Sequence, residues 1–166
     1  MKDETTSSDG KTSEQTPKGA PGNNMEVPLG VYKIYSSLSY PNWLVDMSLS
    51  GGNERNVKLF QDNNEPESRW EIYREYNNNE YSARNIKELR LDLTETSDGS
   101  VTAYHWVNHT QRNRWSFRDA GNGFVYVVGA GEVIMEVKQS ITANNTDIIT
   151  TDYAGTANQK FKLVRV

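Results

Sequence analysis

The sequence predicts an all-β domain built from three like units of about 45 residues, behind a polar N-terminal tail. Three observations predict it. Short runs alternate apolar and polar residues. Clusters of Gly, Asn and Asp interrupt these runs every ten residues or so. One order of anchor residues recurs three times. Period-two alternation marks strands with one buried face, and the clusters supply the turns between them.

The elements follow in chain order. Residues 1–24 contain no Val, Ile, Leu or aromatic residue and are rich in Ser, Thr, Gly, Pro and charge. Such a segment buries too little surface to offset its ordering entropy, so residues 1–27 are expected to be a disordered tail and residues 28–166 the folded domain. All four Trp, nine Tyr and four Phe lie beyond Pro28. Strand-like runs include Val31-Tyr32-Lys33-Ile34-Tyr35, Val57-Lys58-Leu59-Phe60, Leu89-Arg90-Leu91-Asp92-Leu93 and Phe124-Val125-Tyr126-Val127-Val128. Turn clusters include Ser50-Gly51-Gly52-Asn53, Ser97-Asp98-Gly99 and Ala120-Gly121-Asn122-Gly123. Residues 81–91 have some helical character, but their apolar spacing is irregular. A few strands would leave open edges, so about a dozen should close into a barrel-like form.

The internal repeat decides the architecture. Arg69-Trp70-Glu71-Ile72, Arg114-Trp115-Ser116-Phe117 and Lys160-Phe161-Lys162-Leu163 share one pattern: basic, large aromatic, polar, apolar. Their aromatics lie 45 and 46 residues apart. A second anchor carries Asp46, Asp92 and Glu136, which are 46 and 44 residues apart. A third opens each unit at Tyr32, Tyr81 and Phe124. Three units around a pseudo-threefold axis, each giving one aromatic to a shared core, make a β-trefoil with repeats at about 30–75, 76–120 and 121–166. Propellers of this repeat length use at least about four blades.

Composition narrows function. The formal net charge is -4 with no basic block, which speaks against nucleic acid as a partner. No apolar run is long enough for a membrane span, and no apolar signal segment follows Met1. There is no Cys, hence no disulfide and no thiolate metal site. The compartment stays open: a secreted, cell-surface or cytoplasmic location fits. His105 and His109 have no third ligand beside them, so neither a metal nor any other cofactor is expected. No nucleophile elbow, zinc-protease motif or phosphate loop occurs, and a solid trefoil has no deep cleft for paired carboxylates. A non-enzyme is the expectation.

The recurrent aromatic motif behind an Asp-containing strand resembles the Gln-x-Trp repeat of ricin-type β-trefoil lectins. The resemblance covers residues 30–166. The third copy keeps Asn158-Gln159-Lys160-Phe161. The first reads Glu67-Ser68-Arg69-Trp70 and the second Arg112-Asn113-Arg114-Trp115. The resemblance implies shallow sugar sites with a surface carboxylate accepting hydroxyl hydrogen bonds, an aromatic face under the sugar's C–H patch, and an amide beside them. In the first unit these roles fall to Asp46, Phe60 and Asn63 (or Asn64). In the second they fall to Asp92 and Tyr104, with Asn108 and Asn113 near and Trp106 as another platform. In the third, Glu136 replaces Asp and the stacking position falls near Thr150 or Thr151. That site should be dead unless Tyr153 reaches it.

The expected function is therefore a non-catalytic lectin or adhesion module. Its partners would be glycans or glycoproteins, and it could stand inside a larger toxin or adhesion assembly. Two other classes use the same fold. A protease inhibitor would act through exposed loops such as 39–43 and 62–66, and a scaffold would bind a partner protein through one face.

Overall fold

The computed structural model describes residues 21–73, 79–106 and 111–166. They hold twelve strands: β1 (Gly30–Ser36), β2 (Trp43–Met47), β3 (Glu54–Gln61), β4 (Trp70–Tyr73), β5 (Ser82–Asn85), β6 (Asp92–Glu95), β7 (Val101–Tyr104), β8 (Trp115–Gly121), β9 (Phe124–Gly129), β10 (Ile134–Val137), β11 (Thr146–Thr151) and β12 (Phe161–Arg165). The sheet runs β10-β11-β3-β7-β6-β5-β4-β1-β12-β9, and β9 pairs back to β10. These ten strands form a closed ring, which leaves no open edge. Strands β2 and β8 pair onto it, β2 with β1 and β3, β8 with β9. Residues 81–91, with their hint of helix, form β5 and a turn. No helix among the described residues is long and apolar enough to cross a membrane.

The alternation in sequence becomes the two faces of each strand. In β3, Val57 and Leu59 are fully buried while Lys58 and Phe60 between and beyond them are half-buried. The inward residues of nearly all strands meet in one cluster. At its centre Trp70, Trp115 and Phe161 are at most 1% exposed. Each is the first residue of its strand, and each follows a single 3₁₀ turn: Pro66–Ser68, Gln111–Asn113 and Ala157–Gln159. A buried indole N–H needs a partner. Trp70 Nε1 donates to the Val45 carbonyl and Trp115 Nε1 to the Leu93 carbonyl, each at 2.9 Å.

Register corrects one expected anchor. Tyr32 lies opposite Trp70, and Tyr81 opposite Trp115. Opposite Phe161 stands Val125, not Phe124. Successive strand residues point to opposite faces, so a slip of one residue puts Phe124 outside the core. There its ring packs against Tyr40 instead.

The tail expectation is corrected at its C-terminal end. Residues 1–20 lie outside the described residues. Residues 23–27 do not behave as a tail: Asn24 bridges Arg118, the Met25 N–H donates to the Phe117 carbonyl, and the Asp119 N–H donates to the Asn23 carbonyl. Val27 is buried in the core, and its N–H donates to the Tyr81 hydroxyl at 3.0 Å. Main-chain pairing needs no apolar side chain, so composition alone misplaces this boundary.

Candidate functional site

The β2–β3 hairpin positions the first group. Asp46 stands opposite Lys58, and Phe60 lies two residues further along the same face of β3. The loop after β3 folds back on itself, with Asn64 and Glu65 donating main-chain N–H groups to the Asp62 and Asn63 side chains. Pro66 then opens the 3₁₀ turn that carries Glu67 and Ser68 under the hairpin. Asp46, Phe60 and Asn63 line one pocket of about 340 Å³, together with Lys58 and Glu67. Asp46 was expected at the surface. It is instead 3% exposed, with the Ser68 hydroxyl donating to Oδ1 and the Lys58 ammonium 3.0 Å from Oδ2. A carboxylate left bare at that depth would be costly, and these two donors prevent it. The Lys58 ammonium also sits 5.1 Å from the Phe60 ring centroid.

The second group is rearranged. Asp92 is opposite Tyr104 across β6 and β7, as its role requires. Yet it too is buried rather than at the surface. Its Oδ2 accepts the Tyr73 hydroxyl at 3.0 Å and the Asn113 amide at 2.9 Å. Asn113 is fully buried, so it holds the carboxylate and cannot touch a ligand. Asn108 lies outside the described residues. A pocket of about 320 Å³ does form beside Tyr104, but its lining is Thr94, Glu95, Trp106, Arg112 and Glu54, without Asp92. The register explains why. Phe60 stands two residues past the partner of Asp46, and the residue two past Tyr104 is Trp106. Trp106 is therefore the counterpart of Phe60. Its ring meets Tyr104 edge-on at 4.9 Å, and Nε1 donates to the Thr94 hydroxyl at 2.9 Å. Burial holds the Glu95 carboxyl above its ordinary range, and the Arg112 charge partly offsets this.

In the third group Glu136 faces Ile149, and the diagonal position is Thr151, so no ring is offered there. Tyr153 packs edge-on against Tyr126 at 5.4 Å. Gln159 Nε2 donates to Glu136 at 3.0 Å, and Asn158 Nδ2 to the Val137 carbonyl at 3.0 Å.

One relation went unread in the sequence. The residue two before each central aromatic is Ser68, Asn113 or Gln159. Each donates a hydrogen bond to its unit's carboxylate, Asp46, Asp92 or Glu136. Ser68 and Asn113 stand where the third unit has Gln159, as shorter donors doing the same work. The visible signal was a hydroxyl or amide at one fixed offset.

No family model matches the chain, and no curated protein matches it. Solved structures do. The designed 3-fold symmetric protein ThreeFoil is 21% identical with a TM-score of 0.74, over 82% of this chain and 99% of that one. The Rhizoctonia solani agglutinin is 18% identical with a TM-score of 0.71, over 86% of this chain and 99% of its own. A mosquitocidal holotoxin is 16% identical with a TM-score of 0.78; the match takes in 96% of this chain but only 23% of the toxin. At such identities the likeness shows the fold, and the closed ring of strands described above is that of a β-trefoil.

Proposed function

We propose that this chain is a non-catalytic carbohydrate-binding module of the ricin-B-like kind, built from three repeats at about 30–75, 76–120 and 121–166. The matched pairings at Trp70, Trp115 and Phe161 and the three donor–carboxylate bonds support the repeats. One observation carries the function: Asp46 on β2, Phe60 on β3 and Asn63 in the loop after it line a single shallow pocket with an aromatic wall. A sugar offers that surface hydroxyls and an apolar C–H face. The pocket of Tyr104 and Trp106 is the second site. The 62–66 loop considered for protease inhibition contributes Asn63 to the lining of the first pocket, which favours the lectin reading over the inhibitor one. The fold shared with an agglutinin and with part of a holotoxin fits an adhesion role for glycans or glycoproteins within a larger assembly.

Binding of the wild type on a broad glycan array, lost stepwise in Phe60→Ala and Trp106→Ala, is the expected result. Each isolated site should be of about millimolar affinity, about -4 kcal/mol. An array blank for the wild type overturns the reading.

A further inference from the structure

Glu67 poses a problem in the first pocket. It is 8% exposed, and among the described residues its carboxylate has no hydrogen-bond or ion-pair partner. Its carbonyl is fixed by the Asn85 amide at 3.0 Å, so the turn that carries it is held in place. Of the cations nearby, Lys58 is paired with Asp46 at 3.0 Å; Arg69 donates through Nη2 to the Asn64 side chain at 2.8 Å, and its buried Nε has no partner among the described residues, Glu67 included. Neither Glu67 oxygen is sealed from the outside, and the residue lines the pocket. Among the charged residues of that lining, Asp46 and Lys58 cancel, which leaves Glu67 as the uncompensated charge.

A carboxylate this deep with no donor calls for one, and the pocket is the open direction. We infer that the first pocket selects sugars carrying a free, protonated amine. The sugar ring lies against Phe60, and the ammonium donates to the Glu67 carboxylate. Acetylating the amine removes both the charge and two of its three donors, so N-acetyl sugars lose the interaction. A neutral hydroxyl at the same carbon keeps a hydrogen bond but not the charge. This inference rests on the carbohydrate-binding reading and names the ligand class of one of its sites.

The test is a titration followed by NMR in mildly acidic buffer, where the amine is protonated. The ligands are glucosamine and galactosamine, their N-acetyl forms, the parent hexoses and ethanolamine. The proteins are the wild type, Glu67→Gln and Phe60→Ala. The wild type should bind an amino sugar about tenfold more tightly than its N-acetyl or hydroxyl counterpart, the scale of a hydrogen bond to a charged group. Glu67→Gln keeps the shape and, since the side chain has no protein partner, the fold; it should bring the three forms level. Phe60→Ala should weaken all of them. Neutral sugars bound as well as amino sugars by the wild type, a preference that survives Glu67→Gln, or ethanolamine bound as tightly as the hexosamines would each overturn the inference while leaving the lectin reading standing. If no sugar binds and the glycan array is also blank, the lectin reading falls and takes this one with it.

Discussion

At the scale of single residues, the carboxylates expected to contact ligand are first of all structural. Asp92 gathers the Tyr73 hydroxyl and the Asn113 amide on one oxygen while 8% exposed. Asp92→Ala removes an acceptor from both and leaves the Asn113 amide without it in a fully buried space. The expected cost is about 2–3 kcal/mol, read as a shift in urea midpoint at constant slope. A change under about half a kcal/mol would show the site to be wet and the bonds unimportant. The variant is thus a poor probe of binding, and Trp106→Ala, on the pocket wall, is the better one. Trp115 lies deeper. It fills the core at 1% exposure and also satisfies the Leu93 carbonyl. Trp115→Ala should cost about 3–5 kcal/mol in the same assay. The aromatic anchors were legible because only core demand repeats large rings at a fixed spacing. Burial of Asp46 and Asp92 was not, since strand alternation says which face a side chain takes but not what lies over that face.

At the scale of elements, the segment before β1 and the loop after β3 each carry a prediction. Residues 23–25 exchange main-chain hydrogen bonds with β8, and Val27 enters the core. A Cβ placed on Gly22 would run into the Asp119 carbonyl oxygen. A chain starting at residue 28 should be less stable than one starting at residue 21 by about 2–3 kcal/mol, mostly the burial of Val27. Equal thermal midpoints for the two would refute the docking. In the loop after β3, Asp62 accepts the Tyr35 hydroxyl at 2.7 Å and lies 3.2 Å from the Lys33 ammonium. Burial pushes the Asp62 carboxyl up, but these partners outweigh it and hold it below its usual 3.8. Burial, then the bond to Asp62, pushes Tyr35 up to about 12. The signs follow by linkage. The depressed Asp62 stabilises the fold above pH 3.8, and that contribution fades as pH falls through its lower folded value. The raised Tyr35 stabilises below its usual 10, and that contribution fades as pH climbs toward 12. The stability gap between wild type and Asp62→Asn should therefore narrow at both ends of the pH range. A gap that stays constant from acid to alkali would show that this cluster is not formed. Composition hid the docked segment because hydrogen-bonded backbone leaves no mark on side-chain choice.

At the scale of the whole molecule, twelve strands, a closed ring and three central aromatics were all foreshadowed by periodicity. The location of the second pocket was not. Whether Tyr104 or Trp106 matches Phe60 depends on cross-strand register, which the sequence does not print and which moves the aromatic wall by two residues. The pocket beside Trp106 sits on the β6–β7 hairpin, within the ring, and the other on β2–β3, where β3 is a ring strand and β2 pairs onto it. Shallow sites gain most from such a frame. If the two pockets bind glycans as proposed, then once one holds a surface glycan the second binds at the effective concentration set by the frame, with no new contact made. On a dense glycan surface that retains the wild type, Phe60→Ala or Trp106→Ala alone should each lower apparent affinity by about 100-fold or more. Soluble monosaccharide binding at the untouched pocket should stay as it was, and the double variant should bind neither form. Surface plasmon resonance on high- and low-density glycan chips separates the cases. The wild-type advantage must shrink as density falls, because the second pocket then finds no ligand within reach. Single variants that match the wild type at high density would show that only one pocket works and that the pairing of the two on the ring carries no function.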